Sequence, residues 1–229
     1  MANIPPPSIH QGSLKFLSQL RKNNHKDFMD SNRDTWNDIR KHFCDFTDHL
    51  IAALAANDAS VREENAKTSV FRINRDIRFS KNKEPYKTHL SAFICKGGRK
   101  SAVGGYYLHL EPGNKSFLAA GMYEPPADVL FKVRQEIDYN GDAFVKLMKA
   151  AAFRKNFGGL DASFVASRQP RGFDANSPFA SWICYSSYLA VSDSFLDKEV
   201  VSENFFRKAH GMFRSAIPLN QFLNQALDE

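Results

Sequence analysis

At 229 residues, 43% of them hydrophobic and 24% charged, the chain can bury a sizeable core, and its composition excludes a disordered or low-complexity protein. No apolar run approaches the roughly 20 residues that a bilayer-crossing helix needs, and the opening MANIPPPSIHQGS has neither a basic nor an apolar leader region. A soluble, cytoplasmic protein with no membrane partner is therefore expected. The net charge of +6 is local: Arg62 to Lys100 holds eleven Lys or Arg against four acids, a segment charge of +7 that leaves −1 for the rest. Such concentration suits a particular anionic partner better than general adhesion.

Cys44, Cys95 and Cys184 are odd in number and have no CxxC spacing, so they read as free thiols in a reducing compartment. Residues 1–12 are expected to be a flexible N-terminus, and 13–229 a single α+β domain. Ser13 is placed as cap of a short helix carrying Leu14, Phe16, Leu17 and Leu20, and Asn24 as cap of the next. From Asp34 to Ala56, Trp36, Ile39, Phe43, Phe46, Leu50 and Leu54 recur at spacings of three and four, the pattern of one long amphipathic helix.

Ser69 to Ser80 alternates, with Phe71, Ile73, Ile77 and Phe79 apolar and Arg72, Asn74, Asp76 and Arg78 on the opposite parity, and so predicts a half-buried strand. Thr88 to Cys95, Val103 to Leu110 and Ser116 to Gly121 give three more β-like runs. Turns are expected at Gly97-Gly98-Arg99-Lys100 and Glu111-Pro112-Gly113-Asn114. Helices return after Pro125-Pro126, first with Val129, Leu130, Val133 and Ile137, then with Phe144, Leu147, Met148 and Ala151, ending at Gly158-Gly159. A further helix is predicted over Phe179 to Leu189, and another with Val200, Val201, Phe205, Ala209 and Phe213 that stops before Pro218 and a short terminal helix. The fold class is α+β: an antiparallel sheet of about four or more strands packed with N-terminal and C-terminal helices.

The stretch Phe71 to Lys87 carries the most chemistry. On the strand reading, Arg72, Asn74, Asp76 and Arg78 project from one face while Lys81, Lys83 and Lys87 add point charges from the adjoining loop, a combination suited to phosphate or carboxylate oxygens. Pro85 stiffens the approach to Tyr86 and Lys87. The competing reading is a solvated network in which Arg72, Asp76 and Arg78 pair with one another.

The run Arg-Ile-Asn-Arg-Asp-Ile-Arg-Phe-Ser-Lys-Asn-Lys-Glu-Pro-Tyr-Lys-Thr-His starting at Arg72, with Gly105-Tyr-Tyr-Leu-His-Leu-Glu-Pro-Gly113, Gly121-Met-Tyr-Glu-Pro125 and Pro170-Arg-Gly-Phe173, resembles the domain of unknown function 2461 family. The resemblance covers the chain from about Leu14 to the last helices and implies no activity, substrate or cofactor. Arg72, Arg75, Asp76, Arg78, Lys83, Pro85, Tyr86 and Lys87 match the family pattern. Asn82 stands where an Asp is usual, and Ser186 where a Lys is expected.

Tyr107, His109 and Glu111 share a parity on the strand Val103 to Leu110 and would face one way, beside the basic strand if the faces coincide. Asp76, Tyr86 and His109 are the candidate acid/base groups. Arg72, Arg75, Arg78, Lys83, Tyr86, Lys87 and Arg171 are the candidate ligand-binding residues, with Arg171 approaching from its Pro-Arg-Gly turn. No metal site is expected, because His42 and His49, seven apart on the long helix, have no carboxylate or Cys at ligand spacing. No Walker A loop, GxGxxG, HExxH or GxSxG is present, so no cofactor or reaction is named. The preferred reading is a pocket for a small phosphate- or carboxylate-bearing ligand, with turnover left open. The alternatives are a nucleic-acid-binding protein and a protein-protein interaction module.

Overall fold

The apolar stripe on the longest amphipathic segment sets the architecture. In the computed structural model, which describes residues 7–227, α3 (Arg33–Ala55) buries Trp36, Ile39, Phe43, Phe46, Leu50 and Leu54 along one face. Before it come α1 (Ser13–Lys22) and α2 (Lys26–Ser31), and after it a 3-10 turn (Ala59–Val61) and the single-turn α4 (Ala66–Ser69). The sheet follows as β1 (Leu90–Ile94), β2 (Gly105–Leu110) and β3 (Phe117–Met122). It is completed, after α5 (Ala127–Met148), α6 (Ala151–Phe157) and the one-turn α7 (Ala180–Ile183), by β4 (Tyr188–Val191). The chain closes with α8 (Asp197–Val200) and α9 (Phe205–Gln225). The strands are antiparallel in the order β1-β2-β3-β4, which establishes the α+β class.

Because side chains alternate across a strand, the register divides the sheet into two faces. Ala92, Ile94, Tyr106, Leu108, Leu110, Leu118, Ala120 and Met122 are all buried on the inner face, and α9 is the helix most extensively packed there. Asn220 Nδ2 donates to the Gly105 carbonyl at 3.1 Å, while Asn224 both accepts from the Gly104 N–H at 2.7 Å and donates to its carbonyl at 3.1 Å. The amides of α9 thus satisfy backbone groups where β2 enters the sheet. The outer face carries Ser91, Phe93, Tyr107, His109, Phe117 and Ala119.

Several sequence expectations need correction. Ser69–Ser80 is not a strand: only Val70 bridges β1, and after Phe71 the chain leaves the sheet in an excursion that returns at Lys87. Its base is held by Arg75 N–H to Pro85 O and Lys87 N–H to Ile73 O, both 2.8 Å. Asp76 and Asn82 accept from the backbone N–H groups of Arg78 and Glu84, local turns that compete with a ladder. The alternating pattern therefore has no common buried face: Ile73 is buried, whereas Phe79 is 94% exposed.

Phe179–Leu189 is helical only over Ala180–Ile183, and Tyr188 opens β4 instead. Pro218 does not end a helix but lies inside α9. The carbonyl it leaves without a donor belongs to the exposed Arg214, where water can satisfy it. The break expected between Ile137 and Phe144 is the kink of α5 at Asn140, whose backbone is non-helical, but Ala151 opens the separate α6 and does not extend the second segment.

At the N-terminus, Gly12 and His25 occupy the cap positions assigned to Ser13 and Asn24. Of the stretch expected to be flexible, residues 1–6 lie outside the described residues, while Ile9 is buried in the core. The turns at Gly97-Gly98 and Gly113-Asn114 have the positive φ their sequences call for. Among the described residues no helix is long and apolar enough to cross a membrane.

Candidate functional site

The outer face gathers the polar residues of β2 as their parity requires. Tyr107 Oη lies 3.1 Å from His109 Nδ1, His109 Nε2 lies 2.9 Å from Glu111 Oε2, and Arg21, from the last turn of α1, donates to Glu111 Oε1 at 2.7 Å. A carboxylate can only accept, so the neutral His109 ring carries its proton on Nε2 and Nδ1 accepts from the tyrosine hydroxyl. Phe117 stacks on the other side of His109, with ring centroids 4.7 Å apart. Register explains the assembly: Ser91 pairs with His109 and Leu90 with Leu110, so His89 continues the same row on the neighbouring strand. Its ring centroid lies 4.4 Å from that of His109.

Electrostatics differ sharply within this cluster. Burial, reinforced by His109 and Lys87, brings His89 down from 6.5 to about 4, so its ring is neutral at pH 7. Its ring nitrogens make no hydrogen bond among the described residues. Burial also lowers His109, against the opposing pull of Glu111. For Glu111, burial pushes upward, but His109 and Arg21 outweigh it and hold the carboxyl below its ordinary range. Burial is likewise the main cause that raises the Tyr107 phenol.

Next to the Tyr107–His109–Glu111 row lies a cationic edge. Lys87 Nζ sits 5.0 Å above the Phe71 ring, and Phe71 in turn meets Tyr107 edge-on. Burial and the nearby Arg72 and Arg99 depress the Lys87 ammonium, with no carboxylate among the causes. Arg99 donates to the Lys67 and Thr68 carbonyls at 2.9 and 2.8 Å. It also lines a cleft of about 500 Å³ with Asn65, Lys67, Thr68, Gly97, Gly98 and Lys100. A second cleft, of about 580 Å³, opens elsewhere, between Asp58–Ser60 and the end of α9.

The remaining sequence candidates separate. Asp76 and Arg78 form a bidentate pair at the tip of the excursion, Arg78 Nε to Asp76 Oδ1 at 3.0 Å and Nη2 to Oδ2 at 2.7 Å. This pairing lowers the Asp76 carboxyl and raises the Arg78 guanidinium. Arg75 reaches the Glu84 carbonyl and Ser80, and Lys83 donates to the Ile77 carbonyl. Tyr86 is buried, its backbone N–H and carbonyl both held by the Asn24 side chain. Arg171 is exposed in a turn whose Phe173 packs on Phe131 of α5, with no hydrogen bond to the basic segment.

Tyr107, His109 and Glu111 are therefore brought together near Lys87, Arg72 acts on both Lys87 and Asp76, and Asp76, Arg78 and Lys83 belong to the tip of the excursion. His89, Arg21 and Arg99 were missed as site residues. His89 closes the basic run and stands one residue before β1. Its approach to His109 depends on a register that the ten-residue β1–β2 connection leaves open.

No curated protein and no solved structure matches the chain. Residues 12–222 match the family described as "Conserved hypothetical protein (DUF2461)", in agreement with the resemblance carried by the basic run and the β2 motif. The match extends over both the outer-face row and the cationic edge. The chain belongs to the DUF2461 family.

Proposed function

We propose that this protein binds a small phosphate- or carboxylate-bearing compound at the cationic edge formed by Arg72, Lys87 and Arg99, with the Tyr107–His109–Glu111 relay alongside as the acid/base element. The observation that carries the reading is the half-buried Lys87 ammonium, depressed by burial and by the nearby Arg72 and Arg99, with no carboxylate among the groups that shift it. A half-buried ammonium beside other cations favours a bound anion, although Arg72 also acts on the Asp76 carboxyl. Arg78, already neutralised by Asp76, lacks this motive. The adjoining cleft supplies concavity of a size that suits a metabolite.

A second reading rests on Phe79. It stands 94% exposed at the tip, with the Arg78 guanidinium 5.8 Å from its ring centroid and Lys81 and Lys83 close by in sequence. An exposed aromatic among cations is a stacking platform for single-stranded nucleic acid.

The test is calorimetric titration of wild type and the Arg72→Ala/Lys87→Ala variant, both chelator-treated, with inorganic phosphate, a panel of phosphorylated and carboxylated metabolites, and a short single-stranded oligonucleotide at two salt concentrations. The reading expects saturable binding of a small anion that falls at least tenfold in the double variant. Small-anion binding that is equal in the two proteins refutes it. Steeply salt-dependent oligonucleotide binding lost in Phe79→Ala, without small-anion binding, selects the second reading.

A further inference from the structure

We infer that His89, His109 and Glu111 form a binding site for a divalent first-row transition ion of the zinc class, with coordination positions left open toward the cationic edge. The three residues present one ligand atom each, all within 4.8 Å of one another. Ligand bonds of about 2.1 Å place neighbouring donors about 3.0 Å apart around an octahedral ion and about 3.4 Å apart around a tetrahedral one. The 2.9 Å between His109 Nε2 and Glu111 Oε2 already matches such an edge. His89 has only to close by about 1.5 Å, which a partly buried ring without hydrogen bonds achieves by side-chain rotation.

The surroundings supply the orienting contacts that metal ligands require. Arg21 holds the Glu111 oxygen that faces away from His109, and Tyr107 engages the far nitrogen of the His109 ring. Protons balance without an external acid. On loading, the single imidazole proton of His109 moves from Nε2 to Nδ1 and is accepted by Tyr107 Oη, whose own hydroxyl turns to Ser91, a partner already within its reach. The ring stays neutral and nothing is oxidised or reduced. His109 lies within β2, while His89 and Glu111 flank the paired strand ends Leu90 and Leu110, so the register of the sheet brings the three donors together.

The charge balance around the site predicts its selectivity. Two imidazoles and one carboxylate, with the Arg21 cation bonded to that carboxylate, disfavour Mg²⁺ and Ca²⁺, which take oxygen donors. Zn²⁺ and Co²⁺ bond strongly to imidazole. Three protein ligands leave one or more positions for water or an anion, the pattern of catalytic rather than structural sites. This inference stands on the donor geometry alone and holds whether or not the anion reading is right.

The experiment titrates chelator-treated full-length protein with Zn²⁺ and Mg²⁺ by calorimetry, and with Co²⁺ by visible absorption, for wild type, His89→Ala, Glu111→Gln and His42→Ala. One equivalent of Zn²⁺ is expected, together with Co²⁺ bands of nitrogen and oxygen ligation. Affinity should fall at least tenfold in His89→Ala and Glu111→Gln, stay unchanged in His42→Ala, and be undetectable for Mg²⁺. Unchanged Zn²⁺ binding in His89→Ala with native circular dichroism overturns the site, as does its loss in His42→Ala. Phosphate titration of the same chelator-treated samples reads the anion site separately.

Discussion

Protonating His89 should weaken the fold, and the size of the effect follows from where the ring sits. In the metal-free protein, burial, His109 and Lys87 bring its pKa down from 6.5 to about 4. The folded protein therefore takes up this proton later than the unfolded chain does. The stabilising difference is complete above about pH 6.5, is lost progressively as pH falls toward 4, and changes no further below that. At about 1.4 kcal/mol per pH unit the full gap corresponds to about 3 kcal/mol. The ring keeps an open edge to solvent, and screening reduces this to about 2 kcal/mol. Urea unfolding in EDTA at pH 7.5, 6, 5 and 4 is the assay, with His89→Gln as comparator, since glutamine keeps polarity but does not titrate. Carboxylates that titrate in both proteins cancel in the comparison. Wild type should lose about 2 kcal/mol more than the variant between pH 7.5 and pH 4, and parallel profiles would refute the burial and charge assignment at His89.

The remaining predictions probe the core and the excursion. Tyr106 Oη donates to Asp58 Oδ2 at 2.6 Å in a buried setting, so Tyr106→Phe should cost about 1.5 to 3 kcal/mol in urea unfolding, as for a hydrogen bond to a charged group. A cost below about 0.5 kcal/mol would show that the Ser60 N–H and hydroxyl suffice for that carboxylate. Phe79→Ala should leave stability within about 0.5 kcal/mol, because the ring is solvated. Phe46→Ala, which removes a fully buried ring packed on Phe205 and Phe206, should cost about 3 to 5 kcal/mol. Similar losses at the two sites, measured by thermal or urea unfolding, would contradict the burial assigned to them.

The elements legible in the sequence were those whose buried face repeats along one segment. Trp36 to Leu54 marks α3 nearly to its ends, and the parity of Tyr107, His109 and Glu111 holds because Tyr106, Leu108 and Leu110 commit the other face of β2 to the core. The alternation in 69–80 misled because a two-residue period is only a pattern until a partner strand exists. Beyond Phe71 the pairing is limited to the single bridge of Asn74 with Tyr86, and Asp76 and Asn82 offer the backbone nearer acceptors. Tyr188–Val191 escaped notice for the opposite reason: its partner is β3, some seventy residues earlier, and four residues carry too little periodicity to outweigh the helical turn beside them. The basic cluster was legible as charge but not as geometry. Which cations crowd and which pair off depends on the fold of the excursion, so Lys87 stays beside the outer face, Arg78 pairs with Asp76, and Arg72 acts on both Lys87 and Asp76.

The Asn24 side chain, closing on both the N–H and the carbonyl of Tyr86, makes the excursion a handle fastened at its base. The two legs are also tied to each other, Ile73 to Lys87 and Arg75 to Pro85, so the covalent continuity of the tip contributes little to holding them. A protease that nicks the exposed Lys81 or Lys83 would then separate the polypeptide on a denaturing gel and leave it whole by size exclusion, with Arg72 on one fragment and Lys87 on the other still facing each other across the cut.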